Sequence, residues 1–327
     1  MNGFILALLL AVQDPVQNVS DLDLEDLLKV RVTTSAKKEQ PLNSVPAAIY
    51  VIRDEDIKRF GATTIVEALR AVPGLQIARA RGNQWAVTSR GFNDTLANKL
   101  LVMIDGRSVY SPLHSGVFWD VQDTFLEDID RIEVIRGPGG ALWGANAVNG
   151  VINIITKSAD QTQGGVVTAG GGSEERAFGA ARYGFKVSDD AHVRVYAKSF
   201  DRDDQAYGID DDHDDHDDWT QNRAGFRSDW KAGAHDRVTF MGDVYDGENL
   251  DRVALAILST TPGASPRTFD DRVKVEGGNF VTRWEHDTLS VQAFYDYTDR
   301  QSEAFSDTIH TFDLDFQHRF SPFDGHD

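Results

Sequence analysis

The chain has 327 residues, enough for two domains and a sizeable core, and carries a formal net charge of −19. That acidity excludes nucleic acid as a partner, because phosphates require a basic surface. The absence of cysteine excludes a disulfide framework and cysteine-built metal centres. No run of about eighteen apolar residues offers a membrane-spanning helix, whereas spanning strands, whose apolar residues alternate, stay open.

Residues 4–12 (FILALLLAV) have the length of a signal-peptide core but lack a basic flank and an A-x-A site. Residues 1–20 are therefore expected to be a clipped signal peptide or leader, the alternative being a buried helical turn or a mis-assigned start. Residues 45–52 (VPAAIYVI) read as a strand. Residues 54–60 open with acidic side chains that suit a helix N-terminus. Residues 64–72 place Ile65, Ala68, Leu69 and Val72 on one helical face, and Pro73-Gly74 ends that helix. Residues 100–104 (LLVMI) read as a buried strand running into a tight turn at Asp105-Gly106. Two further strands are expected over 129–135 and 151–155, which completes a compact α+β module. Between them Gly137, Pro138, Gly139 and Gly140 disfavour a helix and allow close backbone approach. The run lacks the lysine–hydroxyl ending of a phosphate-binding loop.

From residue 164 the pattern changes. Val193, Val195 and Ala197 alternate with Arg194, Tyr196 and Lys198. Val238, Phe240, Gly242 and Val244 share one face, as do Leu289, Val291, Ala293, Tyr295 and Tyr297, and then Phe312, Leu314 and Phe316. Period-two segments of this length signify a transmembrane β-barrel or a soluble antiparallel sandwich. Apparent tight turns at 188–191 and 232–235, against long polar stretches at 201–220 and 247–279, give the loop asymmetry of outer-membrane barrels.

Residues 132–157 read IEVIRGPGGALWGANAVNGVINIITK, preceded in order by VPGLQ at 72–76, SRGF at 89–92 and LVMIDGRSVY at 101–110. Together these segments resemble the plug of TonB-dependent outer-membrane transporters. The fold class implied is an α+β plug domain followed by antiparallel transmembrane β-barrel strands. The expected division is a leader at 1–20, a periplasmic segment at 21–42, the plug at 43–160 and the first part of the barrel at 161–327. Members of this class have 22-stranded barrels with a plugged lumen. Eight or nine strands are expected here, so the sequence reads as a truncated fragment.

The resemblance assigns roles to particular residues. Val30, Arg31, Val32, Thr33, Thr34, Ser35 and Ala36 resemble the TonB box, an extended segment that pairs with the energising protein by strand addition; an ordinary first strand is the alternative. Arg90 and Arg136 match positions that meet the barrel wall, with partners on later strands, the alternative being two exposed arginines. Two apical plug loops would contact cargo, one through Arg79, Arg81, Asn83, Gln84 and Trp85, the other through Tyr110, Ser111, His114, Phe118 and Trp119. Arg79 and Arg81 would favour an anionic chelate, while the aromatic residues could equally pack the plug. Residues 201–218, from Asp201 to Asp218, contain DRDDQAYGIDDDHDDHDD. Asp211, His213, Asp215 and His216 there are candidate ligands for Ca2+ or another divalent ion, though such charge runs are usually solvated loops.

The function implied is TonB-dependent import of a large scarce nutrient across the bacterial outer membrane. A ferric siderophore is the first expectation, and cobalamin or another metal chelate the second. No catalytic residues and no obligatory cofactor are expected. The plug would face the periplasm, the acidic long loops the exterior, and the outer barrel face the membrane lipid. Readings of another class are a receptor for signalling or adhesion without transport, and a barrel hydrolase, which a plug argues against.

Overall fold

The computed structural model describes residues 31–34, 40, 41, 44, 45, 47–144, 146–205, 217–255 and 267–320. The expected leader at 1–20 lies outside them. The first half contains β1 (Arg31–Val32), β2 (Gln40–Pro41), β3 (Ile49–Arg53), α1 (Asp54–Phe60), α2 (Ile65–Leu69), β4 (Leu75–Arg79), β5 (Trp85–Ser89), β6 (Leu100–Ile104), β7 (Arg107–Ser108), β8 (Ile129–Arg136), α3 (Gly140–Trp143) and β9 (Gly150–Thr156). Local chemistry sets the helix ends. Asp54, Glu55 and Asp56 fill the first turn of α1, and Gly61 closes it in the left-handed conformation. Thr64 caps α2 by accepting a hydrogen bond from the Glu67 amide at 3.2 Å, so the helix begins one residue later than its pattern suggests. The glycine run admits one helical turn after all, beginning on its last glycine.

Five of these strands form a sheet in the order β3-β8-β9-β6-β7, antiparallel except for the β6–β9 pair. Strands β8 and β9 are central and buried on both faces. Ile52, Ile57, Ile65, Leu69, Ile132 and Ile152 build the core on the helix side, while Leu101, Met103, Ile135 and Val151 pack on the other with Trp143. Burial of each such side chain contributes about 1.5–3 kcal/mol. The turn after β6 places Asp105 and Gly106 at φ 50° and 83°, which explains the Asp-Gly pair.

The second half is one antiparallel sheet in chain order: β10 (Gly164–Gly170), β11 (Ala177–Ser188), β12 (Ala191–Arg202), β13 (Trp219–Lys231), β14 (Asp236–Leu255), β15 (Arg267–His286), β16 (Leu289–Gln301) and β17 (Ser306–His318). In the stretch 247–279, read from the sequence as a long loop, the described residues 247–255 and 267–279 are strand. β14 and β15 stay paired from Asp236↔His286 to Leu255↔Arg267, because the ladder continues through residues too polar to signal a strand. At one end the sheet turns tightly, between β11 and β12, β13 and β14, and β15 and β16.

The two faces of this sheet decide between sandwich and barrel. Outward stand Val167, Phe226, Phe240, Phe280, Phe312 and Leu314, with Val167 80% and Phe312 78% exposed. Inward and buried lie Arg182, Arg194, Arg223 and Arg227. A soluble sandwich hides its apolar face, so this inside-out arrangement is that of barrel strands with a lipid-facing exterior. Among the described residues no helix is long and apolar enough to cross a membrane.

Candidate functional site

The inward arginines grip the N-terminal module through both its main chain and its side chains. Arg182 donates to the Thr162 carbonyl, Arg194 to that of Lys157, and Arg223 to that of Val121. Arg283 reaches the Asp105 carbonyl at 2.8 Å, and Gln221 the Asp120 carbonyl at 3.2 Å. Ion pairs add to these contacts: Arg107 of the module pairs with Asp296 of β16, and Lys198 of β12 with Asp123 at 2.7 Å. Asp128 lies between Arg182 and Arg194, whose Nε atoms are 3.1 and 3.3 Å from its oxygens without well-aligned hydrogen bonds. Burial pushes its carboxyl above the ordinary value, outweighing the charges of Arg194, Arg182 and Lys157.

Between the module and the extended ends of β14, β15 and β16 lies a cavity of about 550 Å³, within the range of small-molecule sites. It brings the two predicted loops together. Asn83, Gln84 and Trp85 line it from one loop, and His114, Phe118 and Trp119 from the other. The sheet contributes Asn249, Asp251, Asp271, Val273 and Arg300. Asn83 donates to the Leu250 carbonyl at 3.2 Å, and Gln84 to the Asp251 carboxylate at 3.1 Å, which ties the first loop to β14. Arg300 pairs with Asp120 at 2.6 Å and lies 4.2 Å from the Phe118 ring centre. Burial and the Arg300 charge hold the His114 imidazole below its ordinary value, against the opposing pull of Asp120.

Four predicted residues have other positions. Arg79 stacks on Trp85 and donates to the Gly82 carbonyl, with Glu174 as its ion-pair partner. Arg81 does not line the cavity. Tyr110 and Ser111 line a smaller crevice beside it, where Tyr110 Oη donates to Ser115 at 3.1 Å and Ser111 bridges to Gly116. Asn249, Asp251, Asp271 and Arg300 went unnoticed in the sequence, since the strand alternation that marks them as inward gives no sign of what they face.

The profile of the TonB-dependent Receptor Plug Domain matches residues 41–151. Over 145 residues, 44% of this chain and 23% of the relative, the chain is 38% identical to the vitamin B12 transporter BtuB of Vibrio vulnificus. It is 39% identical, with the same coverage of both chains, to that of Photobacterium profundum. The matched part of this chain is a TonB-dependent receptor plug domain. The chain's fold is similar to that of the siderophore receptor PirA of Pseudomonas aeruginosa, with TM-score 0.57, 21% identity, and 83% of this chain and 44% of that one covered. The ferripyoverdine receptor of the same organism gives TM-score 0.64 at 16% identity, covering 84% and 37%. The chain thus spans less than half the length of these receptors and about a quarter of the curated relatives.

Beside the plug domain, part of the candidate TonB box is described. β1 pairs with β2, and beyond it the Thr33 and Thr34 amides donate to the Glu133 carboxylate at 2.9 and 2.8 Å. Thr34 Oγ1 also donates to Glu133, Asn153 Nδ2 donates to Thr34 Oγ1 at 3.0 Å, and Trp143 Nε1 reaches the Thr34 carbonyl at 2.8 Å. Glu133 is fully buried and additionally accepts from Arg131 Nε at 2.8 Å. The segment is thus both a short strand and a seated one, while Val30, Ser35 and Ala36 lie outside the described residues. Arg90, at φ 66°, is exposed, and Arg136 donates to the Pro73 carbonyl at 2.7 Å. Among the described residues neither has a carboxylate partner. Asp211, His213, Asp215 and His216 lie outside the described residues.

Proposed function

We propose that this receptor takes part in TonB-dependent import of a large metal chelate across the outer membrane, with cargo held in the cavity above the plug. The observation carrying this reading is the convergence of both predicted apical loops and three strand ends on that one cavity. The plug's sequence relatives carry the name of vitamin B12 transporters, and the fold relatives that of siderophore receptors, which keeps both a corrinoid and a ferric siderophore within the reading. The turn end of the sheet would face the periplasm and the extended ends of β14 and β15 the exterior. Residues 30–36 would serve as the coupling strand, because the extended backbone of β1 suits strand addition by TonB. Arg90 and Arg136 would meet carboxylates of wall strands other than β10–β17. No bond chemistry is part of this function.

The test is uptake of a radiolabelled chelate by cells that lack a receptor of their own and express the complete gene. Uptake is expected only with TonB present. Deleting residues 29–36 should leave surface binding intact and abolish uptake; uptake that survives the deletion removes the segment from the coupling role.

A further inference from the structure

One plug loop is tied to three successive segments of the sheet, at the end opposite the tight turns. Arg79, where the loop begins, pairs with Glu174 of the β10–β11 connection. Gly82 donates its amide to Asp217 Oδ2 in the β12–β13 connection. Asn83 and Gln84 reach Leu250 and Asp251 near the far end of β14. These segments are also joined to one another. The Asp203 amide donates to the Glu174 carbonyl at 2.7 Å, and the Leu250 amide to the Asp218 carbonyl at 2.9 Å.

Asp217 is the centre of this fastening. It is fully buried, and it accepts from the Gly82 amide through Oδ2 and from the Gln205 amide through Oδ1 at 2.8 Å. Gln205 in turn donates from Nε2 to Glu174 at 3.4 Å. Packing points to the same pair independently. A Cβ on Gly82 would stand 2.7 Å from the Asp217 carbonyl oxygen, so the close approach of the two backbones demands glycine there. A hydrogen bond to a buried carboxylate is costly to lose singly, because the oxygen left behind is unpaired at low dielectric. One carboxylate shared by plug and connection therefore favours keeping both contacts or releasing both.

We infer that plug loop 79–84 and the β10–β11 and β12–β13 connections form one cooperative unit, fastened through Asp217. Displacing the loop loosens both connections, and loosening the connections frees the loop, since an equilibrium coupling is reciprocal. Gly82 and Asp217 are the positioning residues of this unit. The fastening holds whatever the cavity carries. A shift of the plug, whatever its cause, reaches the rim of the sheet through this loop.

Protein from the complete gene, reconstituted in lipid, would be followed by amide hydrogen exchange at residue resolution. Asp217→Asn keeps the volume but leaves one acceptor oxygen for two amides. Independent contacts would then let only one of the Gly82 and Gln205 amides exchange faster. The cooperative unit is expected to speed both by about tenfold or more, and the Asp203 amide with them. Gly82→Ala, made from the plug side, should speed exchange at Gln205 and Asp203, although the atoms its Cβ meets first belong to Asp217. Unchanged protection of Ile132 and Ile152 shows that the plug core is intact. Acceleration confined to one of the two amides in Asp217→Asn, or unchanged exchange at Gln205 and Asp203 in Gly82→Ala, overturns the cooperative unit. Should Gly82→Ala lose the core protection, Asp217→Asn decides alone.

Discussion

Glu133 is fully buried and holds residues 33 and 34 through both amides and the Thr34 hydroxyl, while its other oxygen accepts from Arg131. Glu133→Gln keeps the shape but leaves one acceptor oxygen in place of two. If the amide oxygen faces the threonines, its NH2 group is turned towards Arg131; if it faces Arg131, the NH2 group meets two N–H donors. Either way at least one charge-assisted hydrogen bond, worth about 1.5–3 kcal/mol, is lost. A loss of about 2 kcal/mol raises the detached population of the segment roughly thirtyfold. The chain has no cysteine, so Val32→Cys, at a fully buried position, supplies a unique thiol whose maleimide labelling rate reads that population. The double variant is expected to label roughly thirtyfold faster than Val32→Cys alone, with an unchanged far-ultraviolet spectrum. Equal labelling rates would refute the view that Glu133 seats this segment.

Four further outcomes are expected. Arg107→Ala should cost about 1.5–3 kcal/mol, because it removes the charged partner of the partly buried Asp296, whereas Lys186→Ala, which breaks an exposed pair with Asp189, should change stability by less than about 1 kcal/mol; denaturant titration in lipid compares them. Gly150→Ala places a Cβ 2.4 Å from the Ile135 carbonyl and should lose about 1–3 kcal/mol by overpacking β8 against β9, read as a lowered denaturation midpoint. His114 has its proton affinity lowered in the fold, so its contribution to stability is present at neutral pH and falls as pH drops below about 6.5; His114→Gln should flatten that part of the pH profile. Phe240→Arg, on the exposed apolar face, should impair insertion into vesicles by up to about 2–4 kcal/mol if its level is the bilayer midplane.

Much of the plug was readable because its signals are local. The run at 100–104 became β6 without adjustment, and Asp105-Gly106 became a turn that needs positive φ. The alternation in β12, β14, β16 and β17 marked the faces correctly, but only the fold shows that the apolar one points outward. What stayed hidden depends on contacts distant in sequence. Glu133 sits inside a recognised motif, yet its contact with Thr34 spans 99 positions. Arg79 is engaged by Gly82 and Glu174, partners that its own sequence neighbourhood only half reveals. Tyr110 and Ser111 share a loop with the cavity-lining His114 and Phe118 but turn to the neighbouring crevice, a choice of side-chain direction that composition does not encode.

The wall strands meet the plug through two kinds of contact, peptide carbonyls such as those of Val121, Lys157 and Thr162, and side chains such as Arg107, Asp120, Asp123 and Asp128. A carbonyl is the same at every residue, so the first kind constrains only where the plug backbone runs. Plug sequences can therefore drift at those three positions without matching changes in the strands, whereas the charged residues must change together with their wall partners. A foreign plug with the same backbone path should dock as a cassette provided that it keeps those charged pairs.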